Sequence, residues 1–269
     1  MQHPAPALQL TKTMRLIVLC CTVSQSKNNS PQTHKNKVML NAPCTPKEIK
    51  LPHAQHGLRC VCFEVNMIQE NTYLLWDESG DAVFVDCGAF YPHEYDAIRQ
   101  FVAQHELHPV LSLYTHGHFD HIFGAQFLCD TYGLLPQLGR ADIPTYDCAE
   151  MQMQMFLHRA LPLQTPPVER GLDEGEEIAF GNQHIQVINT PGHTPGGVCY
   201  HLADAHLLLS GDSLFRYSIG RCDLPGSDGA SLVRALQEKI LTLPDETLVL
   251  PGHGPETNIA DERMGNPYL

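Results

Sequence analysis

Apolar and polar positions divide this chain near residue 57. Beyond it, short apolar runs follow one another, each closed by turn residues. Residues 58–65, 72–76 and 82–86 read as strands, with a turn at Glu78-Ser79-Gly80-Asp81. Over 95–105, Tyr95, Ile98, Phe101 and Val102 mark one face of a helix. The run 109–114, apolar but for Ser112, predicts a buried strand, and 119–129 predicts a helix directly after it. A short strand at Leu138 precedes a helix over 142–161. Strands are then expected at 177–180, 184–189, 198–202 and 206–210, a helix at 232–243 and a strand at 248–250. The order β-β-β-α-β-α and then β-β-β-β-α-β predicts two similar halves, stacked sheet on sheet with helices outside.

Residues 1–57 lack such periodicity and are rich in Pro, Gln, Asn, Lys and Thr, as expected of a disordered or weakly structured leader. Within it, Met14 to Cys21 sets Arg15 before a short apolar run, the outline of a secretory signal, although Leu19 before Cys20 is a poor cleavage site. An over-extended start is the alternative, since Met14 or Met39 could begin the chain without touching the folded part. No stretch is long enough to span a membrane; a cytoplasmic protein is expected, with export through the 14–21 segment as the alternative.

Residues 58–269 suffice for one domain with a substantial core. The chain has ten cysteines and no Cys-x-x-Cys pair, which fits free thiols in a reducing compartment. Net charge is −13, but Lys and Arg residues give 1–57 a charge of +6, leaving −13 − 6 = −19 on the rest. So acidic a domain argues against a nucleic-acid partner. No motif speaks to oligomeric state.

The chemistry concentrates in Tyr114-Thr-His-Gly-His-Phe-Asp-His121, a strand-to-helix loop. Imidazoles and a carboxylate at this density suit a divalent ion such as zinc, iron(II) or manganese. His116 and His118 are close enough to share one ion, while Asp120 and His121 can turn toward a second. Three further strand-end loops add His193, Asp212 and His253. His193 can complete the first ion's ligands, His253 the second's, and the two carboxylate oxygens of Asp212 can bridge both. The methionines Met151, Met153 and Met155 fall in one helix, as core filler or as an adaptable wall over a substrate cleft.

From about Leu58 onward the chain resembles the metallo-β-lactamase superfamily, in the short bacterial branch similar to glyoxalase II, or hydroxyacylglutathione hydrolase. Gln69-Glu70-Asn71-Thr72-Tyr73, Val85-Asp86-Cys87-Gly88, Gly211-Asp212-Ser213-Leu214-Phe215, Gly220-Arg221-Cys222-Asp223 and Gly252-His253-Gly254-Pro255-Glu256-Thr257 add to the histidine motifs. The resemblance implies an α/β fold, the αββα sandwich. It implies His116, His118 and His193 on one ion, Asp120, His121 and His253 on another, Asp212 bridging, and Asp86 orienting ligands. Two divalent ions follow, zinc expected and iron or manganese the alternatives. Cys222 stands where relatives commonly have Ser or Thr, and Cys87 where Pro or Thr is usual. Only 269 − 253 = 16 residues follow His253, too few for the helical region with which glyoxalase II proper helps hold glutathione.

The expected activity is hydrolysis of a small acyl compound, foremost a thioester, by a metal-bridging hydroxide, with Asp120 and Asp212 as the catalytic carboxylates. Arg221 could meet a substrate carboxylate, with Met151 and Met155 beside the cleft; an ordinary loop salt bridge is the other reading of Arg221. A lactonase shares nearly the same ligands. A persulfide dioxygenase would use one iron on His116, His193 and Asp212 alone. Antibiotic cleavage is not expected, because one β-lactamase subclass has Arg where His121 stands and others lack the bridging Asp.

Overall fold

The computed structural model describes residues 44–158 and 163–269. Most of the expected leader, with the 14–21 segment, lies outside the described residues, as do the last residues of the helix expected over 142–161. The boundary at 57 is corrected: β1 (Lys47–Ile49) already pairs antiparallel with β2 (Arg59–Val65), so 44–57 belongs with the folded part. Three residues are too few to show a period, which is why this strand was hidden in the sequence.

One sheet runs in chain order through β1, β2, β3 (Glu70–Trp76), β4 (Asp81–Val85), β5 (His108–Tyr114), β6 (Pro136–Gly139) and β7 (Arg170–Leu172). Its first three pairings are antiparallel and its last three parallel. A second sheet comprises β8 (Glu177–Phe180), β9 (Gln183–Asn189), β10 (Val198–Leu202), β11 (Leu207–Gly211), β14 (Leu248–Pro251) and β15 (Thr257–Asn258), with β11 and β14 parallel. Between β11 and β14 a small hairpin, β12 (Leu214–Phe215) and β13 (Ser218–Ile219), stands apart.

The period of two explains the layering. Cys60 and Cys62, Tyr73 and Leu75, and Val83 and Val85 point into the space between the sheets, against Val187, Tyr200, Leu209 and Leu250. Their alternates Val61, Phe63, Leu74 and Phe84 face outward onto α1 (Pro92–Gln104), α2 (Phe119–Ile122) and α3 (Ala125–Tyr132) through Ile98, Phe119 and Leu128. On the far side Cys199, Leu208 and Val249 meet α6 (Gly229–Ala235) and α7 (Ile259–Gly265) through Leu232 and Ile259, while α4 (Ile143–Asp147) and α5 (Ala149–Leu157) lie on the first half. Helix, sheet, sheet, helix is the expected αββα sandwich, with strands buried on both faces.

Two expected helices are broken. The one over 119–129 divides at Phe123 and Gly124, where a Cβ on Gly124 would run into Cys87 Sγ. The one over 142–161 opens with a 3-10 turn, restarts at Ile143–Asp147 around Pro144, and restarts again at Ala149. Among the described residues no helix is long and apolar enough to cross a membrane, and all eight cysteines are free.

Candidate metal centre

Strand direction gathers the site. β4 and β5 are parallel, and β9, β11 and β14 run the same way through two antiparallel steps and one parallel one. Asp86, the His116–His121 loop, His193, Asp212 and His253 follow the carboxyl ends of these five strands, where layered α/β proteins place ligands.

Three nitrogens converge on one point: His118 Nδ1 lies 3.0 Å from His116 Nε2 and 2.9 Å from His193 Nε2. Beside them, Asp120, His121 and His253 form a second group, with His253 Nε2 at 3.3 Å from Asp120 Oδ2. Asp212 lies between: Oδ2 is 3.6 Å from His193 Nε2, and Oδ1 is 3.3 Å from His121 Nε2 and 3.8 Å from His253 Nε2. Within each group the donor atoms are no more than 4.8 Å apart.

The tautomers follow from the outward nitrogens. His121 Nδ1 donates to Asp86 Oδ2 at 3.0 Å, His193 Nδ1 to the Arg221 carbonyl at 2.8 Å and His253 Nδ1 to the Gln69 carbonyl at 3.1 Å. Thr115 Oγ1 gives its proton to Asp86 Oδ2 at 2.8 Å, so its lone pair accepts from His116 Nδ1 at 3.1 Å. Each of these four rings therefore keeps its outward proton on Nδ1 and turns Nε2 inward, as the nitrogen that would bind a metal. His121 Nε2 and Asp212 Oδ1 are buried without a hydrogen-bond partner, a costly arrangement that a cation resolves. The donor set, imidazole and carboxylate without thiolate, fits a hard-to-borderline divalent ion.

Burial, with His121 and His118 adjacent, holds the His116 ring well below its usual range, and burial with His193 takes His118 to about 4. His121 goes the other way: burial opposes its charge, but Asp212, Asp86 and Asp120 outweigh it and raise the ring well above normal. Burial likewise disfavours the Asp212 charge, yet His121 holds that carboxyl well below the usual range.

Asp86, which has a left-handed backbone (φ 54°), is both a strand-end turn and a bracket for His121 and Thr115. Arg221 pairs with Asp223 through two hydrogen bonds and lies 5.9 Å from the Phe156 ring, which itself meets Phe119 in the metal loop. In α5, Met153 is core, whereas Met151 and Met155 are exposed. Four supports escaped the sequence reading. Thr115 carries the Asp86 link to His116, and buried Asp142 holds Gly117. Gln152 bonds Phe119 N and the Gly117 carbonyl, and buried Glu70 reaches to 4.0 Å from His121 Nδ1. Only the Gln69–Tyr73 motif hinted at one of them.

The profile of the metallo-beta-lactamase superfamily matches residues 65–253. A probable metallo-hydrolase of Bacillus subtilis, YqgX, is 35% identical over 205 residues, covering 76% of this chain and 94% of its own. The hydroxyacylglutathione hydrolase GloC of Haemophilus influenzae is 29% identical over 216 residues, covering 76% and 95%. Among solved structures, the B3 metallo-beta-lactamase BLEG-1 superposes with TM-score 0.72 at 33% identity, over 78% of this chain and 99% of that one. TTHA1623, solved in a di-iron-bound form, gives 0.68 at 38% identity over 77% and 98%.

Proposed function

Because this chain belongs to the metallo-beta-lactamase superfamily, we propose that it is a binuclear metal-dependent hydrolase of a small acyl thioester. His116, His118 and His193 would hold one ion, Asp120, His121 and His253 the other, and Asp212 both. The observation that carries the reading is Asp212 itself, one oxygen toward each group, with its inner oxygen and His121 Nε2 buried and unpartnered. Zinc is the ion expected first; the di-iron relative keeps iron in view.

When bound, two ions supply Lewis acidity toward a carbonyl and bring the deprotonation of water from a pKa of about 15.7 toward 7. The protein does the positioning. Asp86, Gln69, Thr115 and Arg221 fix four imidazoles from behind, so their inward nitrogens need no rearrangement during reaction. Burial would raise the Asp120 carboxyl, but His121 and His253 hold it below its usual range, leaving an acceptor that can orient the attacking water. A thiol of pKa about 8.5 leaves as thiolate, so no general acid is required. Phe156 and the Arg221 guanidinium, adjacent to the loop, would meet the acyl or carrier portion, with Met151 and Met155 farther along the helix.

The name of the Haemophilus influenzae relative supports the thioester class. A second reading, hydrolysis of a β-lactam, draws on the likeness to BLEG-1. Elemental analysis of protein purified without chelator, paired with assays on a lactoyl thioester and a penicillin, separates them. About two ions per chain with thioester turnover is the expected result. Penicillin turnover alone would replace the thioester reading by the second. A single iron with oxygen consumption on a persulfide would overturn both. His118→Ala should lose the first ion and Asp212→Ala should weaken both, each with loss of hydrolysis; full activity in either would refute the mechanism.

A further inference from the structure

We propose that Asp142 is a positioning residue for the first ion group, a buried carboxylate that fastens the loop carrying His116 and His118 to the loop carrying His193. It rests on the reading that these three histidines share an ion. Asp142 is fully buried just after β6, with its two oxygens divided between the loops. Oδ2 accepts from Gly117 N at 2.5 Å, and Oδ1 accepts from Gly196 N at 3.0 Å and from Thr145 Oγ1 at 3.1 Å. Gly117 lies between His116 and His118, at the end of a strand of the first sheet; Gly196 lies three residues beyond His193, in a loop of the second. One side chain thus spans the seam between the sheets at the point where the three imidazoles meet. Both glycines are needed for the approach: a Cβ on Gly196 would collide with Asp142 N, and one on Gly117 with Tyr146 N.

The second group is fastened elsewhere. Asn66 Nδ2 donates to the Asp120 carbonyl at 2.9 Å and Cys87 N to the His121 carbonyl at 2.9 Å. Those bonds come from the 66–88 side of the molecule and do not involve Asp142. Loosening Asp142 should therefore disturb one ion and spare the other. Asparagine at 142 keeps the shape but offers one acceptor oxygen, and its amide NH2 would face a backbone N–H that it cannot accept from. One loop is then released.

The test uses the full chain, stripped with chelator, refilled with zinc and titrated against a chromophoric chelator, for wild type, Asp142→Asn and His118→Ala. Asp142→Asn should bind one ion as tightly as wild type and the other about 10- to 100-fold more weakly, as for partners that orient metal-bound histidines. Its surviving tight ion should match in affinity the one retained by His118→Ala. Both ions held at wild-type affinity, or both weakened alike, would overturn the proposal. A wild type that holds fewer than two ions would instead overturn the binuclear reading beneath it. If circular dichroism shows Asp142→Asn unfolded, Gly196→Ala, whose Cβ would collide with Asp142 N and push the His193 loop off the carboxylate, decides. Selective weakening of the first ion supports the proposal, and unchanged affinity refutes it.

Discussion

Four of the five histidines of the site are each defined by the atom behind them. Asp86 shows how far this goes: through His121 it reaches the second group, and through Thr115 it reaches His116 in the first. Asp86→Asn should therefore weaken both ions by about 10- to 100-fold, in contrast to a lesion confined to one group. Chelator competition measures this, and wild-type affinity for either ion would contradict it. Protons divide the groups differently. Burial keeps His118 from protonating until about pH 4, whereas the carboxylates around His121 raise its affinity for protons. Since a proton and a metal compete for the same nitrogen, acidification should strip the His121 ion first and the His118 ion later. Zinc retained after dialysis at stepped pH would record two separate losses; a single concerted loss would argue against this. The inward-facing residues were legible in the sequence because their chemistry is packed into four short loops. Thr115, Asp142 and Gln152 were not, because an ordinary Thr, Asp or Gln acquires its role only when a distant segment arrives. Asp142 reaches Gly196 across 54 positions.

At the scale of elements, strands of four residues or more announced themselves and shorter ones did not. β2 to β5 carry five to seven residues of apolar or alternating pattern, enough to read. β7 and β15, with three and two residues, are defined by neighbours that pair with them. The broken helix after Asp142 has a similar cause, for its first residues are committed to holding the metal loop rather than to continuing a helix. The end of β14 supplies a direct test. A Cβ on Gly252 would sit 2.5 Å from Asp212 Oδ1 and 2.6 Å from His121 Cε1. Gly252→Ala should leave the fold intact by circular dichroism while reducing bound zinc and thioester turnover together. Undiminished zinc in that variant would show that the ligands adjust around the methyl group.

For the molecule as a whole, the sandwich was foreseeable because two runs of strands, each with its helices, can bury their apolar faces only against each other. The exact start of the folded part was not, since the β1 strand that lies before residue 58 is recognisable only by its partner. Neither sheet owns the site. The first contributes His116, His118, Asp120 and His121, the second His193, Asp212 and His253, so each group of ligands joins both. An ion bound there acts as a rivet through the seam. The folded state then gains stability that grows with the logarithm of free metal over its dissociation constant. Scarce metal should therefore leave more molecules open to proteolysis, so that limited digestion of chelator-treated protein would run faster than that of metal-replete protein.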